Sequence, residues 1–206
     1  MTDSVTADII SELGFTDEVE RMRALLQAWI AKASPEMRPM LEWQFVARSK
    51  YFRPLTIFSC WRAVNAGPIP DRTIASAAVL EMMHNVSLVI DDILDASPER
   101  RGKATLHTRF GQLPALMASG YVVADGFLMS EADPHDIRLF AELLKRLGVA
   151  ECAQWRLRRQ PLGLEDWLMI AGEDTGSMFE VCACLATRDD RLRKFGHLLG
   201  VLYHGC

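Results

Sequence analysis

A chain of 206 residues, half of them hydrophobic and 24% charged, has enough apolar material for one sizeable domain and is not composed like a disordered segment. Its net charge of −4 argues against a nucleic-acid-binding surface. Acids or bases interrupt each apolar run, so none is expected to span a membrane, and the N-terminus carries early acids rather than a basic, apolar signal pattern. These features predict a soluble cytoplasmic protein. Five cysteines (Cys60, Cys152, Cys182, Cys184, Cys206) without a Cys-x-x-Cys pair fit reduced thiols in that compartment.

In chain order, residues 16–33 read as a first helix. Thr16 is placed to cap it, Glu18 and Glu20 favour its positive end, and Met22, Leu25, Leu26 and Trp29/Ile30 form an apolar stripe. Pro35 and Pro39 punctuate the chain before a second helical stretch from 40 to about 48. The run Arg48-Ser49-Lys50-Tyr51-Phe52-Arg53-Pro54 opens a helix over 55–64. Two cations three residues apart at the start of an apolar helix can grip a phosphate with help from the helix N-terminus, although a solvated turn has the same appearance. Gly67, Pro68 and Pro70 form a break, and Asp71 is placed to cap a long helix.

That helix is apolar over 74–90 and meets three acids in Asp91-Asp92-Ile93-Leu94-Asp95, followed by Arg100-Arg101-Gly102. Positions i and i+4 share a face, so Asp91 and Asp95 point the same way, with Asp92 about 100° round the axis. His84 lies two turns, roughly 10 Å, before Asp91 on the same stripe. Mg²⁺ is held by one or two carboxylates plus substrate phosphate oxygens, and arginine supplies forked donors matched to phosphate. The constellation therefore suits a diphosphate, whereas the acid motif alone reads equally as a solvated helix end.

Beyond it, 96–103 reads as a polar loop and 111–129 as an apolar helix. Asp133-Pro134 forms a capped start for a helix over 136–159, whose Arg138, Lys145, Arg146, Arg156, Arg158 and Arg159 predict a solvated outer face. A further helix covers 164–186 and a last one 190–204. No internal repeat, low-complexity tract or second domain is evident, so residues 1–206 read as a single domain.

The string of His84, Ser87-Leu88, Asp91-Asp92-x-x-Asp95, Arg100-Arg101-Gly102-Lys103 and Phe110-Gly111 resembles the first aspartate-rich region of the trans-type polyprenyl diphosphate synthases, the farnesyl and geranylgeranyl diphosphate synthases among them. Lys50, Arg53 and Pro54 match that family's Gly-Lys-x-x-Arg-Pro motif, with Ser49 in place of the glycine. The resemblance implies an all-α, isoprenoid-synthase-type helical bundle and a homodimeric, Mg²⁺-dependent prenyltransferase that condenses isopentenyl diphosphate with an allylic diphosphate. It gives Lys50, Arg53, His84 and Arg101 to isopentenyl diphosphate, Arg100 and Thr175 to the allylic diphosphate, and Asp91 and Asp95 to the metal, with Asp91, Asp92, Asp95 and Arg100 as the catalytic set.

Two departures accompany the resemblance. Asp174 stands where the family has a lysine gripping the allylic diphosphate. The chain also ends at Cys206, after the Leu199-Gly200 to Tyr203-His204 run and before the family's second aspartate-rich motif, so the bundle is expected to lack its C-terminal helices and the chain alone to have weak or no condensation activity. Val86 and Ser87, upstream of Asp91, are not aromatic, which points to a product longer than fifteen carbons and towards geranylgeranyl diphosphate. The competing readings are a truncated or non-catalytic homologue acting as a partner subunit, and a terpene cyclase.

Overall fold

The computed structural model describes residues 4–45, 49–130 and 133–206. In chain order its helices begin with α1 (Ser4–Glu12), α2 (Thr16–Lys32), α3 (Arg38–Phe45), α4 (Phe52–Val64) and α5 (Asp71–Leu94). A two-stranded hairpin, β1 (Glu99–Arg100) and β2 (Lys103–Ala104), precedes α6 (Leu106–Phe110), α7 (Gln112–Met129) and α8 (Pro134–Leu157). Then come α9 (Leu164–Ala171), a π turn (Gly172–Gly176), α10 (Ser177–Thr187) and α11 (Arg193–His204). Among the described residues the hairpin holds the only strands, which bears out the all-α expectation. The short α1 and α6 lie outside the helices read from the sequence, and residues 46–48 of the second one lie outside the described residues.

The chain divides into two compact units, Met1–Tyr51 with Ala78–Ala132, and Phe52–Ala77 with Asp133–Cys206. In the first, α2 buries Val19, Met22, Leu26 and Ile30, one stripe at helical spacing. Leu25, expected on that stripe, is exposed. Thr16 is the first helical residue rather than a cap, and no side chain caps this end. Trp29 turns its ring edge-on to Phe45, and its indole N–H donates to Asp125 Oδ2 at 2.7 Å, giving a large ring a polar partner. Met40, Val89, Leu106, Ala115 and Ala118 form a core flanked by Met37, Trp43, Ile93 and Phe110. Met82 and Met83 are fully buried.

In the second unit every residue from Ser177 to Ala186 of α10 is buried. The stretch read as one helix over 164–186 is continuous but widens into the π turn. Ser177 Oγ donates to the carbonyls of Glu173 (2.6 Å) and Asp174 (2.9 Å), taking up acceptors that the wider turn leaves misaligned. Helix α11 lies against this stretch backbone to backbone. A Cβ on Gly196 would collide with Phe179 O, and one on Gly200 would meet Gly176 Cα and Thr175 O at 2.7 Å. Asp133 caps α8 as expected, accepting from His135 N–H at 3.0 Å, and it also takes both Arg188 Nη groups at 2.8 and 3.2 Å.

Helix α5 corrects one expectation. By length and composition, with a mean hydropathy of 1.4 over its most apolar window, it passes as a candidate membrane span. Of that window 67% is buried within the protein, as in the core helix of a soluble protein.

Alanine at Gly196 or Gly200 is expected to destabilise the protein by about 1–3 kcal/mol through overpacking. Gly148→Ala, at a helical position with nothing within 4 Å of the added carbon, is expected to stabilise it by about 0.5–1 kcal/mol. Urea unfolding of the three variants checks both signs.

Candidate functional site

Helix α5 ends with three carboxylates in its last turn and just beyond it, with no basic residue in that turn. The C-terminal end of a helix carries partial negative charge, so acids there are unfavourable unless cations answer them. One answer comes from the chain itself. Asp92, 3% exposed, accepts a hydrogen bond from Arg100 Nε at 2.8 Å, which ties the end of α5 to β1. Asp91 is half-buried and Asp95 exposed, one turn apart on the other side.

The loop read as irregular is a two-residue hairpin. Arg100 pairs with Lys103, and Arg101 (φ 55°) and Gly102 (φ 73°) form its tip. Positive φ at both tip residues is the type I′ geometry whose twist matches the strands. Glycine adopts it freely, while Arg101 does so at a cost of about 1–2 kcal/mol. Trp43 pins the hairpin to α3. Its indole N–H donates to Ala104 O at 2.9 Å, Lys103 Nζ donates to its carbonyl, and Lys103 Nζ and Arg109 Cζ lie 3.9 and 3.8 Å from its ring centroid. Burial, and then the Arg109 charge, hold the Lys103 ammonium below its ordinary range.

Between these parts of the first unit lies a cavity of about 780 Å³. Lys50, His84, Arg100, Arg101 and Lys103 line it, with Asp92, Glu81 and the rings of Trp43, Phe45 and Tyr51. In a protein of net charge −4, this lining sets four lysines and arginines against two acids. Such a cavity concentrates anions, and guanidinium forks and ammonium points give it the donors that phosphate oxygens accept.

Over residues 34–204 the chain matches the family described as polyprenyl synthetase. The chain belongs to the polyprenyl synthetase family. It is 27% identical over 194 residues to nonaprenyl diphosphate synthase of Mycobacterium tuberculosis, an alignment covering 89% of this chain and 57% of that protein. It is 26% identical over 223 residues to geranylgeranyl pyrophosphate synthase 4 of Arabidopsis thaliana, covering 93% and 59%. A decaprenyl diphosphate synthase crystal structure from Rhodobacter capsulatus superposes with a TM-score of 0.82 at 18% identity, over 97% of this chain and 63% of that one. The fold is thus the isoprenoid-synthase helical fold, and this polyprenyl synthetase chain spans less than two thirds of the length of these proteins.

Of the residues singled out from the sequence, Lys50, His84, Asp92, Arg100 and Arg101 line the one cavity, and Asp91 and Asp95 sit at the end of the helix that forms part of its wall. Arg53 and Thr175 belong to the second unit. There Arg53 Cζ lies 5.8 Å from the centroid of the Phe179 ring. Thr175 Oγ1 donates to Asp174 Oδ2 at 3.1 Å and is 2.9 Å from His204 Nδ1, and His204 Nδ1 is 3.5 Å from Asp174 Oδ2, so Asp174 is held by its neighbours in the π turn and on α11. Trp43, Glu81, Tyr51 and Lys103 join this lining without a role legible in the sequence. The Arg101-Gly102 pair is a turn signal, and read as a hairpin it would have placed Lys103 opposite Arg100 on the same face.

The expected solvated face of α8 fails at Arg146. Its Nε donates to Glu173 Oε2 at 2.8 Å, its Nη1 to Glu180 Oε2 at 2.9 Å and its Nη2 to Gly172 O at 3.2 Å. His197 Nδ1 lies 2.7 Å from Glu180 Oε1. Burial alone would raise the Glu180 carboxyl, but the Arg146 guanidinium and then His197 outweigh it and hold the carboxyl below its ordinary value of 4.5. Stability drawn from a depressed carboxyl is fully present above about 4.5 and is lost as pH falls through the folded-state value. The urea midpoint is therefore expected to drop below about pH 4.5, and to drop less in Glu180→Gln. Glu180→Ala, which leaves Arg146 without one partner, is expected to cost roughly 2–4 kcal/mol at pH 7.

Proposed function

We propose that the chain is a prenyltransferase of isoprenoid biosynthesis, joining isopentenyl diphosphate to an allylic diphosphate. The observation that carries this reading is the cation-lined cavity of the first unit, with Lys50, His84, Arg100, Arg101 and Lys103 around one volume. Arg100 is aimed by Asp92 and Arg101 by the turn that strains it, so both guanidinium groups start from fixed backbone positions. Prepositioned donors of this kind stabilise charge as it develops on a departing diphosphate. The rings of Trp43, Phe45 and Tyr51 supply apolar wall, which limits water around a carbocation.

Mg²⁺ is the metal that suits Asp91 and Asp95. Asp91 and Asp95 lie one turn apart at the negative end of α5, and two carboxylates completed by phosphate oxygens are a usual magnesium donor set. When bound, the ion would neutralise leaving-group charge. Arg53 and Thr175, also given to substrate by the resemblance, belong to the second unit, and the proposal stands on the first unit alone.

Product length is left at the level of a polyprenyl diphosphate, with geranylgeranyl diphosphate as the working choice. Val86 is buried beside only about 10 Å³ of free space among Met40, Leu41, Phe45, Val89 and Val122. A growing tail on that side has to displace these side chains. The free state of all five cysteines supports a reducing, cytoplasmic setting, and a homodimer is the assembly proposed with it. Asp174 favours a second reading, a partner-dependent subunit with reduced catalysis of its own, because it puts an acid where the family's lysine grips the allylic diphosphate.

The test is to incubate the chain with Mg²⁺, isopentenyl diphosphate and each short allylic diphosphate, and to identify products by mass. A prenyl diphosphate that Asp91→Ala reduces by at least about 100-fold, the scale of losing a principal charge-stabilising group, is the expected result. Isopentenyl diphosphate binding without product from a folded chain selects the subunit reading, and absence of binding overturns both. Lys50→Ala and Arg101→Ala are each expected to weaken isopentenyl diphosphate about tenfold, the effect of one charge-assisted hydrogen bond.

A further inference from the structure

We propose that Ser49 is a positioning residue of the cavity, fastening the Lys50–Tyr51 turn to α5 through the buried carboxylate of Glu81. The inference rests on the diphosphate reading of that cavity and names what sets the place of one of its cations. The family motif has glycine at this point, and a glycine supplies no side chain to make such a tie.

Glu81 is 4% exposed and sits three residues before His84 on α5, so the two side chains share a side of the helix and both line the cavity. Ser49 Oγ donates to Glu81 Oε1 at 2.8 Å. Ser49 Oγ in turn accepts the Tyr51 backbone N–H at 3.3 Å, the two-residue side-chain turn that serine hydroxyls form. One hydroxyl thus uses its donor on helix α5 and its acceptor on its own loop.

The consequence is visible in the backbone. Tyr51 is held at φ 50°, a left-handed conformation that a residue with a bulky side chain keeps only when its surroundings over-determine it. Its ring is buried in the first unit, and its N–H is bound to Ser49. Burial first, and the Glu81 charge second, push the Tyr51 phenol above its ordinary range against the opposing pull of Arg23, which places phenol and carboxylate within electrostatic reach of each other.

Lys50 lies between the two anchored residues and is itself exposed to the cavity. A lysine is a point charge on a flexible stem with no fork to orient it. The position of its backbone is therefore the main thing the fold can set, and Ser49 sets it.

The test is calorimetric titration of isopentenyl diphosphate into the full chain, its Ser49→Ala, Ser49→Thr and Lys50→Ala variants, and the Ser49→Ala/Lys50→Ala double variant, with each unfolding midpoint recorded. Ser49→Ala is expected to bind about tenfold more weakly, the scale of one hydrogen bond to a charged group. Ser49→Thr, which keeps the hydroxyl, is expected to stay within about twofold of the parent, well inside the effect of that bond. If serine acts through the lysine, the double variant binds no more weakly than Lys50→Ala. Parent-like affinity in Ser49→Ala, no rescue by threonine, or additive losses in the double variant overturns the inference and leaves the diphosphate reading standing. Failure of the parent chain to bind overturns the diphosphate reading and the inference with it.

Discussion

Three carboxylates at the negatively polarised end of an apolar helix are an electrostatic problem, and the first unit is arranged around its solution. Asp92 cannot stay buried as a carboxylate without a partner. Arg100 is that partner, and reaching it fixes where the hairpin begins. Once β1 starts there, the return strand has to bring Lys103 opposite Arg100, and the tip has to accept left-handed backbone at Arg101 and Gly102. A single ion pair with a buried carboxylate thereby decides the position of three neighbouring cations.

The hairpin is too short to be stable alone, since two-stranded ribbons are marginal even at greater length. Trp43 supplies what it lacks. The indole N–H and the backbone carbonyl of one residue bind the two successive residues of β2, and the ring carries Lys103 and Arg109 against it. Placing two cations on one ring is unfavourable between themselves, which is part of why the Lys103 ammonium is held low. An anion in the cavity would relieve that repulsion at Lys103, which lines it.

Residue type and helical spacing are sufficient to read the long helices and the stripe running from His84 to Asp95, because those features are local, while the all-α class follows from the family resemblance. The α5 acids, the Arg100-Arg101 pair and the Lys50 turn carry their chemistry in their own side chains. What escaped notice depends on residues far apart in sequence. Arg146 reads as one more exposed base on an amphipathic helix until Glu173 and Glu180 are seen beside it. Glu81 reads as an interruption of an apolar run, and only the fold brings it to Ser49, 32 residues earlier. The π turn is similarly silent, since the same glycines suit a plain helix and only the fold brings Gly200 against Thr175 and Gly176.

Charge pairing distinguishes the cluster around Glu180 in the second unit from the cavity lining of the first. In the second, Arg146, Arg193 and His197 meet Glu173, Glu180 and Asp190 in hydrogen-bonded pairs, so the cluster is neutral within its own fold when the histidine is protonated. Asp174 fits that pattern. A lysine there would add a cation with an affinity for phosphate, whereas the aspartate is already engaged by Thr175, with the His204 ring alongside. The cavity lining of the first unit is not balanced in this way, because four lysines and arginines face two acids around one volume. The concentration of cations that can meet a polyanion is therefore local to the cavity lining of the first unit, and the exchange at residue 174 leaves the π turn of the second with one cation fewer than the family pattern implies.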